Sequence, residues 1–140
     1  MRFARARIVR WLLLLPVIYV SWMFAVGIGL GLHLIIDSLC PRDLIVSGLC
    51  TARWYEPAST TVFSIGAAAA AVFIVVGCTL AAPSHKHIVA VATFLLGAAY
   101  AVVLGVQAHM WVPMIAAIVV GAAATVLVRR RVEAPDSQAQ

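Results

Sequence analysis

Four long apolar runs dominate the chain, at residues 11–36, 58–82, 88–106 and 112–128. None of them contains a Lys, Arg, Asp or Glu, and each is close to the roughly 20 residues that a helix needs to cross a bilayer. The connections between them are short enough that consecutive helices must run antiparallel. The pattern therefore predicts an all-α polytopic membrane protein, built as an antiparallel bundle of four transmembrane helices.

The connections between the runs differ in length and polarity. Residues 37–57 form the only sizeable polar segment between the runs, whereas residues 83–87 and 107–111 leave room only for tight turns. Pro83 is predicted to end the second helix. Pro113 suits the first turn of the fourth helix, where its missing amide costs little. The long first loop is therefore where polar chemistry outside the bilayer is expected.

The composition agrees with one membrane domain followed by a short tail. Hydrophobic residues make up 64% of the chain and charged residues 11%, against about 25% charged in soluble proteins. Residues 1–128 are predicted to form a single four-helix membrane domain. Residues 129–140 begin with three arginines and are predicted to be a basic and then disordered cytoplasmic tail.

Basic residues are distributed unevenly about the four runs, and their positions predict an orientation. Eight Lys and Arg residues fall on the side of the two termini, while only Arg42 and Arg53 fall in the long loop. By the positive-inside rule, both termini are predicted to be cytoplasmic and the loop to face outward. The net charge of +5 thus signals orientation and contact with lipid headgroups, and no nucleic-acid partner is predicted. The Ala- and Arg-rich composition indicates a bacterial plasma membrane.

The long loop contains two cysteines, Cys40 and Cys50, which are separated by nine residues. A disulfide bond can form and persist on the oxidising outer side of a membrane, and a structural disulfide is the main prediction. A redox-active pair, two free thiols or metal ligands are the alternatives, although the spacing is not that of a CxxC motif. Cys78, within the second run, is predicted to be a small, buried and reduced side chain.

Two histidines and an aspartate are predicted to lie at the outer ends of the helices. His33 lies 22 residues after Trp11 and His109 lies 21 residues after Ile88, so both should sit at a similar depth. Asp37 follows His33 by one helical turn. If the first and third helices are neighbours, the three side chains could bind a divalent metal, or the two imidazoles a haem. Hydrogen bonding at the headgroup level is the main expectation, so no metal or cofactor is assigned.

Small residues recur at four-residue spacing along the runs, a pattern that lets helix backbones approach closely in lipid. Gly27 and Gly31 form a GxxxG arrangement in the first run. We predict that such positions form the helix contacts of a compact bundle. The other predicted contact positions are Gly66, Ala70, Gly97, Ala101, Gly105 and Gly121.

Aromatic residues near the ends of the runs predict where the membrane interfaces lie. Trp11 is placed at the inner boundary, and Trp54, Tyr55 and Trp111 are placed at the outer one. The amphipathic rings of Trp and Tyr favour this level of a bilayer.

The runs lack the residues that membrane enzymes and proton-coupled transporters use. Ionisable groups within a membrane usually mark proton or ion pathways, and none lies in the centre of any run. No set of nucleophile, base and orienting residue indicates a hydrolase. We therefore predict a non-enzymatic accessory or assembly protein that binds a membrane-protein partner or a second copy. A redox, metal- or haem-binding protein and a small transporter subunit are the alternatives.

Overall fold

A computed structural model describes residue 12, residues 14–82 and residues 85–133, the last two without their side chains. Four long helices account for most of these residues: α1 (Leu14–Ser38), α2 (Tyr55–Ala81), α3 (Lys86–Ala108) and α4 (Trp111–Glu133). Each helix is long and apolar enough to cross a membrane. The predicted all-α architecture of four long apolar helices is therefore confirmed.

The second, third and fourth helices run longer than the apolar runs that predict them. The fourth helix continues through its three arginines to Glu133, although the sequence analysis ends it at residue 128. Arginine is a good helix former, and cations in a last turn interact favourably with the negative end of the helix dipole. The prediction of disorder after residue 133 lies outside the described residues, as do the N-terminal arm and Trp11.

The helices pack around α2, which contacts all three others. It packs extensively along α1 and α4, whereas α3 packs chiefly against α4 and less against α2. Within Leu14–Ser38, only Ala25 is buried, so α1 lies at the side of the bundle with most of its surface uncovered. We call the end with the α1–α2 loop and the α3–α4 connection the loop end, and the opposite end the turn end.

The core lies toward the turn end and is built from small side chains. Val75, Ala90 and Ala124 form one buried cluster, from α2, α3 and α4, with Phe94 packed against it. Cys78, which is fully buried, forms a second cluster with Ala82 and Val89. Small side chains let helix backbones approach closely, and helices in lipid associate chiefly through such close packing.

Glycines mark the closest helix approaches. A Cβ built on Gly66 would lie 3.5 Å from the Gly29 Cα, so α1 and α2 nearly touch at this pair. A Cβ on Gly105 would lie only 2.7 Å from the Met114 Sδ, and a Cβ on Gly121 would lie 3.2 Å from Phe94. Three of the predicted glycine positions therefore lie in helix contacts within the chain.

The other predicted glycines lie elsewhere. A Cβ on Gly27, Gly31 or Gly97 would meet nothing within 4 Å, so these positions lie outside the close contacts between the described helices. The α1–α2 contact forms instead at Gly29, midway between the two glycines of the GxxxG arrangement. A residue two positions away lies on nearly the opposite side of a helix, and four-residue spacing does not say which side faces a neighbour.

Candidate functional site

The loop end is built around a disulfide bond. Cys40, just after α1, is bonded to Cys50, and their Cα atoms lie 6.1 Å apart. The predicted pairing is thus confirmed. Cys78 is a free and buried cysteine of α2. It lies about 35 Å along that helix from Tyr55, so it is too far from the loop cysteines to exchange a disulfide with them.

Between the cysteines the chain forms a β-hairpin that the sequence analysis missed. A short 3-10 helix (Arg42–Leu44) leads into strand β1 (Ile45–Val46), which pairs antiparallel with β2 (Leu49–Cys50). The Ser47–Gly48 turn has φ angles of 53° and 81°. Positive φ at both central residues is the signature of a type I′ turn, which matches the twist of a hairpin. A Ser-Gly pair after two β-branched residues is the signal that would have indicated it.

The hairpin turns aliphatic side chains to the surface. Val46 is 59% exposed and Leu49 is 70% exposed, and these two residues pair across the strands. We define the hairpin apolar surface as the exposed aliphatic side chains of this loop: Leu39, Leu44, Ile45, Val46 and Leu49.

A second group of side chains ties α1 to α2 beside the disulfide. The Tyr55 hydroxyl donates a hydrogen bond of 2.5 Å to the Asp37 Oδ1. His33 Nε2 lies 3.5 Å from the same hydroxyl and 3.9 Å from the Asp37 Oδ2. The His33 ring also lies against Phe63, with ring centroids 5.5 Å apart. A hydrogen bond to a carboxylate is stronger than a neutral one, so this group braces the start of α2 against the end of α1.

The proton positions in this group follow from its geometry. Tyr55 has one hydroxyl proton and donates it to Asp37, so His33 Nε2 must be the donor in its contact with the Tyr55 oxygen. In a neutral ring the other nitrogen, Nδ1, is then an acceptor. That atom is buried and has no hydrogen-bond partner in the part of the chain that the structure describes. Asp37 and Tyr55 are both accessible to solvent, so the site lies at the surface and does not enclose a reaction centre. We call the group of His33, Asp37 and Tyr55 the bracket between α1 and α2.

His109 does not join His33 and Asp37. It terminates α3 in a left-handed conformation with φ of 56°, and its backbone N–H bonds to the last turn of that helix. The predicted convergence required α1 beside α3, but α1 packs against α2 instead. Over residues 14–82 and 85–131 no group of three His, Cys, Asp or Glu side chains could hold a metal ion. The three side chains therefore do not form a metal-binding group, and the haem hypothesis stays a prediction.

The described aromatic residues with predicted interfacial positions gather at the loop end. Trp54 precedes α2 and its ring lies 6.1 Å from that of Tyr55, while Trp111 is the first residue of α4. Tyr55 has a further role that the sequence analysis missed, because its hydroxyl partner lies on another helix. Trp54 and Trp111 are substantially exposed.

Two apolar grooves open between the helices. The loop-end groove, between α2, α3 and α4, has a volume of about 400 Å³. Ala70 and Ala101, both predicted to be packing positions, line it. Thr93 also lines it, but the Thr93 hydroxyl donates to the Val89 carbonyl of its own helix. No charged side chain among the described residues lines this groove, so it suits an apolar chain or a helix.

The turn-end groove lies between α2 and α4 and has a volume of about 490 Å³. Its walls are aliphatic, apart from Thr79, whose hydroxyl donates to the Val75 carbonyl. Lys86 and Arg131 also line it, and both are exposed. This groove therefore combines an apolar channel with cationic side chains.

No model of a known protein family matches the chain, and neither a curated protein nor a solved structure is significantly similar to it. A function for this chain must therefore be inferred from its own geometry. That geometry offers a rigid apolar hairpin at one end and an apolar groove with cations at the other.

Proposed function

We propose that this protein is a small integral membrane protein that crosses the bilayer four times and acts non-enzymatically, by binding a membrane-protein partner. The four candidate spans support insertion. Large apolar side chains point away from the bundle on every helix, for example Leu34, Leu80 and Leu96, which are 68%, 76% and 73% exposed. Soluble monomers rarely expose such continuous apolar surface, whereas lipid accommodates it.

The orientation that we propose places the loop end outside the cell and both termini in the cytoplasm of a bacterium. The eight-to-two distribution of basic residues supports this orientation. The Cys40–Cys50 bond gives independent support, because disulfides form and persist in oxidising compartments. In this orientation the described aromatic residues of the loop end lie at the outer interface.

The hairpin apolar surface is the observation that carries partner binding. The disulfide holds its base, the type I′ turn shapes its tip, and a backbone hydrogen bond of 2.9 Å from Thr51 to Leu44 extends its ladder. A surface that is already ordered loses little conformational entropy on binding. The exposed cross-strand pair of Val46 and Leu49 is thus suited to an apolar patch on a partner beside the membrane.

The uncovered side of α1 offers a second contact surface. Gly27 and Gly31 have open space where a Cβ would stand, and no described atom of another helix lies within 4 Å of that position. Small residues at this spacing allow another helix to approach closely in lipid. A partner helix on α1 would also lie beneath the hairpin, which follows directly from the end of α1.

Site-specific photo-crosslinking in native membranes tests this function. A photoreactive amino acid at Val46 and one at Leu49 should each give a discrete protein adduct containing the same partner, because the two side chains share one face. A reactive group at Asp43, on the preceding 3-10 helix, provides a position in the same loop outside the apolar surface.

Matched variants sharpen the experiment. Val46→Lys with Leu49→Lys should abolish an adduct formed from a probe at Leu39, whereas Asp43→Lys should retain it. An adduct of twice the mass of the chain would identify the partner as a second copy. Adducts to lipid alone from both hairpin positions would overturn partner binding and make the hairpin a membrane anchor.

A further inference from the structure

The turn-end groove has the length of one leaflet of a bilayer. Along α4 it extends from Val120 to Arg131, which is about 16 Å at the rise of a helix. The hydrocarbon core of a bilayer is roughly 30 Å thick, so one leaflet contributes about 15 Å. The groove therefore matches the depth of a single acyl chain.

Two cations, Lys86 and Arg131, stand at one end of this groove and have no salt-bridge partner among the described side chains. Lys86 begins α3 and Arg131 lies in the last turn of α4. The described acidic side chains, Asp37, Asp43 and Glu56, all belong to the opposite end. About 40 Å of α2 separates the two ends, so these carboxylates do not neutralise the cations.

We propose that the turn-end groove binds one molecule of an anionic phospholipid, with an acyl chain between α2 and α4 and the phosphate between Lys86 and Arg131. The groove walls exclude a wholly polar ligand, and the paired cations favour an anionic headgroup over an uncharged one. Arginine can bind a phosphate through two parallel hydrogen bonds, and lysine adds a compact charge. The inference rests on the membrane location proposed above and is independent of the hairpin partner.

The loop-end groove is the internal comparison for this proposal. It is similar in volume and in apolar character, but no Lys or Arg lines it. If a chain-shaped cavity alone determined binding, the two grooves would take up lipid without regard to the headgroup. A preference for anionic lipid is therefore the property that belongs to the turn-end groove.

Native mass spectrometry of the detergent-purified full chain tests the proposal with phosphatidylglycerol and phosphatidylcholine of identical acyl chains. The expected result is one phosphatidylglycerol bound about tenfold more tightly than phosphatidylcholine, since cations near a headgroup favour the anionic lipid. Lys86→Gln with Arg131→Gln should remove this preference. Arg42→Gln with Arg53→Gln removes the same charge at the loop end and should leave the preference unchanged.

A variant of the groove wall tests the acyl chain separately. Ala123 lines the groove and is exposed, so Ala123→Phe should fill the channel without disturbing the core. It should weaken phosphatidylglycerol binding by several-fold. Inorganic phosphate, added at the same concentration as the lipid, should not displace it.

Three results would overturn the lipid site. They are equal binding of the two lipids by the wild-type chain, an equal loss in the two charge variants, and full displacement by inorganic phosphate. Resistance of the chain to extraction from membranes by alkaline carbonate is measured beforehand. Extraction would overturn the membrane location and this site together, whereas a resistant chain without lipid preference would overturn this site alone.

Discussion

The two ends of the bundle differ in how their side chains are bonded and in what they expose. At the loop end, Asp37 is bonded to Tyr55, the cysteines are bonded to each other, and the hairpin pairs its own backbone. At the turn end, Lys86 and Arg131 make no bond to any described side chain. The loop end thus presents an ordered apolar surface, while the turn end presents cations beside an apolar groove. One end is suited to recognising a shape, and the other to recognising an anion.

The largest expected effect concerns the orientation of the two ends, because it is all or none. Alkaline phosphatase fused after Gly48 should be active, since the loop end is proposed to face the oxidising side, and fusions after Lys86 or Arg131 should be inactive. Activity is measured in whole cells with matched expression levels. The reverse pattern would overturn the proposed orientation and place the loop end in the cytoplasm.

Removal of the disulfide should be the most costly change within the loop end. Replacing both cysteines, Cys40→Ser with Cys50→Ser, should lower the free energy of unfolding by roughly 2–3 kcal/mol, because the cross-link no longer restricts the unfolded loop. Denaturant titration in detergent measures this change. A reductant should shift the wild-type midpoint and leave the double variant unchanged; an equal shift in both would assign the effect to something other than the bond.

Overpacking at Gly105 tests whether α3 and α4 meet as described. Gly105→Ala should cost about 1–3 kcal/mol, because the new Cβ would stand 2.8 Å from the Met114 Cβ and the backbone must shift. Gly97→Ala, on the same helix, adds a methyl group to open space and should be neutral or slightly stabilising. The same denaturant titration compares them, and equal midpoints would show that the α3–α4 contact is not formed there.

The smallest effect is expected at the bracket between α1 and α2. Tyr55→Phe should lower the unfolding midpoint only slightly, because it removes the hydrogen bond to Asp37 from a site that water also reaches. A double-mutant cycle with Asp37→Asn isolates the pair, and a coupling energy near zero would show that the bond contributes nothing. Ser38→Ala, whose hydroxyl bonds only to its own helix, is the matched control.

The helices could be predicted from sequence because each needs only a long apolar run, and such a run carries its own signal. The disulfide could be predicted because both cysteines lie in the one long polar loop, on the side that is predicted to be oxidising. The hairpin could not be read in the same way, since its strands of two residues are too short for an alternating pattern. The Ser-Gly pair of its turn, Ser47–Gly48, was the sequence signal that could have indicated the hairpin.

The contacts between helices were less predictable, because they depend on which helices are neighbours. The pairing of Tyr55 with Asp37 requires α2 beside α1, and the predicted meeting of His33 with His109 required α3 there instead. Axial distance along a helix fixes depth, but it carries no information on rotation or on neighbours. For the same reason the sequence pattern indicated Gly27 and Gly31 where the structure uses Gly29.

The position of α1 at the side of the bundle has a consequence for biosynthesis. Its main contacts are with α2, which follows it directly in the chain, so the α1–α2 pair depends little on the later helices. If the chain is inserted into a membrane as we propose, α1 and α2 can therefore pair, with both loop cysteines in place, before α3 has been synthesised. A chain truncated after Ala82 should still form the Cys40–Cys50 bond, as thiol labelling of the inserted fragment would show. Helices α3 and α4 would then dock onto an α2 that is already paired with α1. The four helices would thus be inserted as two successive pairs.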